Sequence, residues 1–194
     1  MPQPLPKLQV YDPQQDVSVV ERRLPHWSQA GTITFITWRT WDSMPAHVVQ
    51  RWLAECDQWL VAHGIPPTTN ATATIPAAIT TWQQRWQASL ATLPKPLQMQ
   101  FGLHTQNRWN DHLDDCHGEC VLKHLGVSQD VYDSFLHFDG DRYDITDFVV
   151  MPNHVHILVA FPDEKSMLPQ CDSWKHFTAA QINRKLCRTG RLWQ

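Results

Sequence analysis

Two apolar runs, Phe148 to Val150 and Val155 to Phe161, flank Met151-Pro152-Asn153, and this pair is the strongest pattern in the chain. In a strand successive side chains alternate faces, so His154, His156, Leu158 and Ala160 point one way and Val155, Ile157, Val159 and Phe161 the other. Proline and asparagine suit the centre of a tight turn, so the stretch predicts a hairpin whose return strand carries both imidazoles on one face. A second strand is predicted over 32–40, where Ile33, Phe35 and Thr37 alternate with Thr34, Ile36 and Trp38.

Helical spacing follows. Val48, Val49, Trp52, Leu53, Cys56, Trp59 and Leu60 predict an amphipathic helix from Pro45 to His63, ended by Gly64. The Pro/Thr/Ala text at 65–79 reads as a loop, and 80–93 and 96–113 as two helices with Trp82, Trp86, Leu90, Leu97, Phe101, His104 and Trp109 inward. A short helix over 128–138, capped by Ser128, precedes a strand over 143–151. Beyond the hairpin a loop at 162–170 leads to a helix capped by Asp172 or Ser173 and running to Arg188, and Leu192 to Gln194 starts another strand. The first 28 residues, rich in proline and glutamine, read as an extended arm.

Composition narrows the class. A chain of 194 residues with 42% apolar content suits one cored domain with an insertion, and no run is long enough to span a membrane. The N-terminus lacks a signal-peptide pattern, and five scattered cysteines do not form a secreted disulfide framework, so reduced thiols and a cytoplasmic location are expected. The net charge of −3 conceals a basic end. From Lys165 to Gln194 six basic residues, Lys165, Lys175, Arg184, Lys185, Arg188 and Arg191, stand against a single acid, Asp172. Ten tryptophans are many for this length; those in the predicted helices are read as packing, whereas Trp174 and Trp193, within the basic end, are the candidates for stacking on unpaired bases.

Neutral imidazole is a common first-row metal ligand, and a strand fixes the separation of two of them, so His154 and His156 are candidate metal ligands. The alternative is a solvent-facing histidine beside a hydrogen-bonded semi-core one. Asp115-Cys116-His117-Gly118-Glu119-Cys120 offers a second candidate, although structural zinc sites come as two paired clusters and no second cysteine pair is present.

Five blocks carry a resemblance: residues 34–45 (TFITWRTWDSMP), 137–143 (HFDGDRY), 147–159 (DFVVMPNHVHILV), 173–184 (SWKHFTAAQINR) and 190–194 (GRLWQ). In this order they resemble the REP-associated tyrosine transposases, a branch of the single-tyrosine HUH transposases, over 31–194. The resemblance implies an α+β fold, a ferredoxin-like antiparallel sheet with helices on one side, in a domain over 29–194 with a helical insertion at about 64–127 after the first strand. It implies that His154 and His156 hold Mg²⁺ or Mn²⁺ against a phosphate of single-stranded or hairpin DNA, with a monomeric or homodimeric protein. DNA contacts are expected from Trp174, Lys175, Arg184, Lys185, Arg188 and Arg191. The family's tyrosine nucleophile would fall beyond Gln194, because Tyr11, Tyr132 and Tyr143 all precede the histidines; the chain is expected to be truncated before it and inactive in cleavage. Two alternatives stand beside this reading: a non-catalytic DNA-binding remnant, and a small zinc protein using His154, His156 and Cys116 or Cys120.

Overall fold

The computed structural model describes residues 9–12, 14, 18–21, 25–65, 86 and 89–194. Two compact units divide the chain, Met1–Ser43 with Glu119–Gln194, and Met44–Gly118. Strands β1 (Ser18–Glu21) and β2 (Pro25–Ser28) pair antiparallel, so the expected arm contains a short hairpin.

The first unit is α+β. Its three-stranded antiparallel sheet consists of β3 (Thr34–Arg39), β4 (Asp144–Val150) and β5 (His154–Ala160), with β5 in the middle. β4 and β5 are the predicted hairpin: the Met151 N–H donates to His154 O at 2.9 Å, closing the turn over Pro152 and Asn153. Beyond β3, Trp193 bridges antiparallel to Thr40, and the Gln194 N–H donates to Arg39 O at 3.0 Å. The start of a further strand expected at Leu192 to Gln194 therefore lies on the free edge of β3.

Two helices pack on one face of this sheet. They are α3 (Leu125–Leu136), preceded by a 3₁₀ turn at Val121–Lys123, and α4 (Met167–Lys185). Their residues Val131, Phe135, Trp174 and Ile182 close over Trp38, Val155, Ile157 and Val159 in one core. At its centre the Trp174 indole N–H donates to Tyr143 Oη (3.2 Å), and the Tyr143 hydroxyl donates to Phe135 O (2.8 Å).

Both helices start earlier than expected. α3 begins after His124, and Ser128, expected as its cap, lies inside it with its hydroxyl turned back onto Leu125 O at 3.2 Å. α4 begins at Met167, so Asp172 and Ser173 are interior. The carboxylate that precedes its first turn is Asp163, which accepts from the Lys165 N–H (2.8 Å), the Ser166 N–H (2.9 Å) and the Ser166 hydroxyl (2.7 Å). These bonds, the Ser166 hydroxyl foremost, hold the Asp163 carboxyl below its ordinary 3.8. Asp163→Ala is expected to lower the unfolding free energy at pH 7 by about 0.5–2 kcal/mol, the usual effect of losing a capping side chain. Because the folded pKa is the depressed one, this contribution is complete above 3.8 and disappears as pH falls through the folded value, so urea midpoints of wild type and variant should converge in acid.

In the second unit α1 (Ala46–Ala62) packs against α2 (Lys95–Asp114). Trp52, Cys56, Leu60, Trp86 and Phe101 form its core, and Trp52 meets Trp109 edge-on at 4.9 Å. The tryptophans at 52, 59, 86 and 109 thus serve packing as expected. The loop expected at 65–79, apart from Ile65, and most of the helix expected over 80–93, with Trp82, lie outside the described residues. The helical insertion runs from Met44 to Gly118 rather than 64–127, because α1 joins it and α3 belongs to the sheet. Among the described residues no helix is long and apolar enough to cross a membrane.

Candidate metal and nucleic-acid face

Alternation along β5 delivers both imidazoles to the sheet face opposite α3 and α4. Arg39 lies opposite His154, Thr37 opposite His156 and Phe35 opposite Leu158 on β3, while Val149 flanks His156 from β4. This face is open around His156: Phe35 is 60% exposed and Val149 45%. His154 is fully buried.

The two rings converge. His154 Nε2 lies 2.9 Å from His156 Nε2, with ring centroids 4.6 Å apart and nearly perpendicular. Asn153 Oδ1 lies 2.8 Å from His154 Nδ1, and Thr37 Oγ1 2.7 Å from His156 Nδ1. An amide oxygen only accepts, so His154 Nδ1 carries the proton and presents its Nε2 lone pair. His156 Nε2 then donates to that lone pair, and its Nδ1 accepts from the Thr37 hydroxyl. An octahedral ion with bonds of about 2.1 Å holds adjacent ligands about 3.0 Å apart, so the 2.9 Å separation suits two neighbouring ligands of one ion. Binding would replace the shared proton; His156 Nδ1 would become protonated and donate to Thr37 Oγ1. Asn153 and Thr37 thus orient the candidate ligands from behind. The donor set fits a divalent metal.

Positive charge gathers at the His154 end. Arg39 is 7% exposed, and its Nη1 donates to Ser43 Oγ at 3.0 Å. Burial, followed by the proximity of Arg191, brings its pKa down to about 10, with Asp42 opposing, so it remains charged at neutral pH. Arg191 is exposed and lies over the Trp41 ring, 4.3 Å from its centroid; Trp41 itself is 54% exposed.

The expected DNA contacts divide. Arg191 joins this cluster, whereas Lys175, Arg184 and Lys185 lie on α4, in the layer behind the sheet. Lys185 pairs with Asp130 at 2.7 Å, and Arg188, just past that helix, with Glu119 at 2.6 Å. Trp174 is corrected outright: it is 2% exposed and packed in the core, so neither ring face is open to a base. Trp193, 5% exposed, is likewise packed there, its indole N–H donating to Thr178 Oγ1 at 2.8 Å. Asn153, Thr37, Arg39 and Phe35 were missed as site residues. For Phe35, Thr37 and Arg39 the signal is the β3 alternation, which places them on the histidine face once the two strands pair; Asn153 comes from the hairpin turn.

A groove of about 610 Å³ lies elsewhere, between α3 and the edge strand β4, lined by Tyr132, Leu136, Phe148 and Val149 among others. In the second unit His112, Asp115 and His117 form a group that could hold a metal ion. Among the described residues it is the one such group of three or more, and neither Cys116, Cys120 nor the sheet histidines belong to it. The zinc arrangement expected from His154, His156 and a cysteine is therefore replaced by a different donor set. The five cysteines stand as thiols, and burial pushes Cys56 and Cys171 up to about 12, which removes both as nucleophiles near neutral pH.

Comparison of the chain with family models, curated proteins and solved structures returns no match.

Proposed function

We propose that the open sheet face around His154 and His156 binds single-stranded or hairpin DNA together with a divalent ion, Mg²⁺ or Mn²⁺, in the manner of an HUH transposase domain of the REP-associated type. The observation that carries this is the convergence of the two Nε2 atoms at 2.9 Å, with Asn153 and Thr37 behind them. The order of elements supports it. β3, α3, β4, β5, α4 and the 192–194 segment read as βαββαβ, the sequence of a ferredoxin-like unit, with the last segment on the β3 edge.

When bound, the ion would polarise a phosphate and offset charge developing on its oxygens. The remaining work falls to the chain. Arg191 and the buried Arg39 supply positive charge beside the pair, and Phe35, stacked on His156 at 5.3 Å and 15°, offers an exposed ring to an unpaired base. A cytoplasmic location and a monomeric or homodimeric state accompany this reading.

DNA binding without cleavage by Tyr143 or Tyr132 is the form favoured. Tyr143 is wholly buried, its hydroxyl is engaged on Phe135 O, and burial raises its pKa. Tyr132 packs on Phe148, on the α3 side of the sheet. Neither is placed to attack a phosphate at His156.

The test is retention of a labelled DNA hairpin by the full chain, with Mn²⁺ or with chelator. The expected results are Mn²⁺-enhanced binding, an affinity that falls with salt, and no covalent adduct surviving denaturation. Equal binding in chelator would overturn the role of the ion, and a covalent adduct would overturn the non-cleaving form.

A further inference from the structure

The second unit carries its own cluster of metal-ligating side chains. His112 and Asp115 lie three residues apart at the C-terminal end of α2, and His117 follows in the turn beyond it, between Cys116 (φ +55°) and Gly118 (φ +87°). Asp115 Oδ2 is 3.8 Å from His112 Nδ1 and 3.9 Å from His117 Nε2, and the three ligand atoms all lie within 4.8 Å of one another.

His112 is the informative member. It is 2% exposed, and its Nε2 is 3.0 Å from Glu55 Oε2. Glu55 is in turn gripped by Arg108 through Nε at 3.0 Å and Nη2 at 2.9 Å. A carboxylate so held by a guanidinium stays ionised and accepts from the imidazole, which places the proton on Nε2 and leaves the Nδ1 lone pair directed toward Asp115. That Nδ1 is buried and makes no hydrogen bond, and 3.8 Å to Asp115 Oδ2 is too long for one. A buried nitrogen in this state costs about 1–3 kcal/mol unless something completes it. A cation would. The order Glu55–His112–ion reproduces the carboxylate–histidine–metal relay that fixes the tautomer of ligating histidines.

We propose that His112, Asp115 and His117 form a zinc-class metal site, unrelated to the sheet histidines and independent of the DNA-binding reading. Two imidazoles and one carboxylate with a further position open suit Zn²⁺. Bonds of about 2.0–2.2 Å put tetrahedral ligands roughly 3.3–3.5 Å apart, so the observed separations need to contract by about half an ångström or more. Such an ion ties the turn after α2 to α1 through Glu55.

The experiment titrates the full chain carrying His154→Gln and His156→Gln, which keep volume and a polar end, with Zn²⁺, and with Co²⁺ as the spectroscopic probe. One equivalent should bind, and Co²⁺ should show the visible bands of a low-coordinate ion without a thiolate charge-transfer band. Added to that background, Asp115→Ala and His117→Ala should each abolish the stoichiometric binding, and Glu55→Gln should weaken it on the order of 10–100-fold. Asp115 is well exposed and His117 partly so, which makes these variants safe for folding where His112→Ala is not. Absence of the one equivalent, its survival in Asp115→Ala and His117→Ala, or a thiolate band that puts Cys116 in the donor set would each overturn the proposal. Because the sheet histidines are already removed, success or failure here is separable from the fate of the DNA-binding reading.

Discussion

His156→Ala is expected to abolish Mn²⁺-enhanced binding of a DNA hairpin while leaving the fold intact, whereas His154→Ala abolishes it and also destabilises the protein. The difference follows from placement. His156 is half-buried on the open face, its contacts there being Thr37, Phe35 and His154. Removing it takes one of two protein ligands from an ion that makes few protein bonds, and hard divalent ions bound through so few groups are held weakly from the start. His154 has no exposed surface, and its loss leaves Asn153 Oδ1 without its imidazole donor inside the hairpin turn. Asn153 is itself fully buried, and its backbone carbonyl accepts from the Thr40 N–H at 2.8 Å. The loss of this buried hydrogen bond and the cavity left behind should together cost a few kcal/mol. His154→Gln and His156→Gln keep volume and a polar end, and should separate loss of the metal from loss of packing. The measurement pairs hairpin retention in Mn²⁺ and in chelator with urea denaturation of each variant. Undiminished Mn²⁺ enhancement in His156→Ala would remove the pair from the site.

What could be read from the residues alone was what period and local chemistry determine. The Pro152-Asn153 turn, the alternation of β3 and β5 and the shared face of the two histidines rest on period-two geometry, and all three are present. Element starts were less legible. Ser128 and Asp172 are good capping residues by type, yet Asp163 held the turn before α4, because three donors happened to converge on it. Side-chain partnership across the chain was not legible at all. The basic end is continuous in sequence, but α4 occupies the far side of the sheet from the histidines, whereas Arg191, past the helix, lies close to Arg39 at the β3 edge. The Cys-His-Cys text drew attention to the right turn for the wrong atoms: His117 was visible, but its partner His112 lies five residues back on a helix, and the Glu55 that makes His112 informative lies on another.

The stability of Trp174 variants separates packing from base stacking. Trp174→Ala is expected to lower the unfolding free energy by about 3–5 kcal/mol, the range for truncating a buried aromatic. The ring stacks on Trp38 at 5.9 Å and 16° and meets Tyr143 and Phe135 edge-on at 4.8 and 5.2 Å, so its removal empties the space among three aromatic rings. The loss extends past van der Waals contact, since Tyr143 Oη also accepts from the Trp174 indole. Trp174→Phe keeps most of the ring volume and forfeits that bond, and should cost about 1 kcal/mol for the hydrogen bond plus a residual packing term. The same variant decides the role in DNA binding. A tryptophan on which a base stacks contributes about 1–3 kcal/mol to single-strand affinity, whereas a core residue contributes to binding only through folding. At temperatures where Trp174→Phe is fully folded, hairpin affinity should therefore equal that of wild type, while Phe35→Ala, on the exposed face beside His156, should weaken it without a comparable change in stability. A fall in affinity for folded Trp174→Phe with Phe35→Ala unaffected would place the DNA on the helical side of the sheet and away from the histidines.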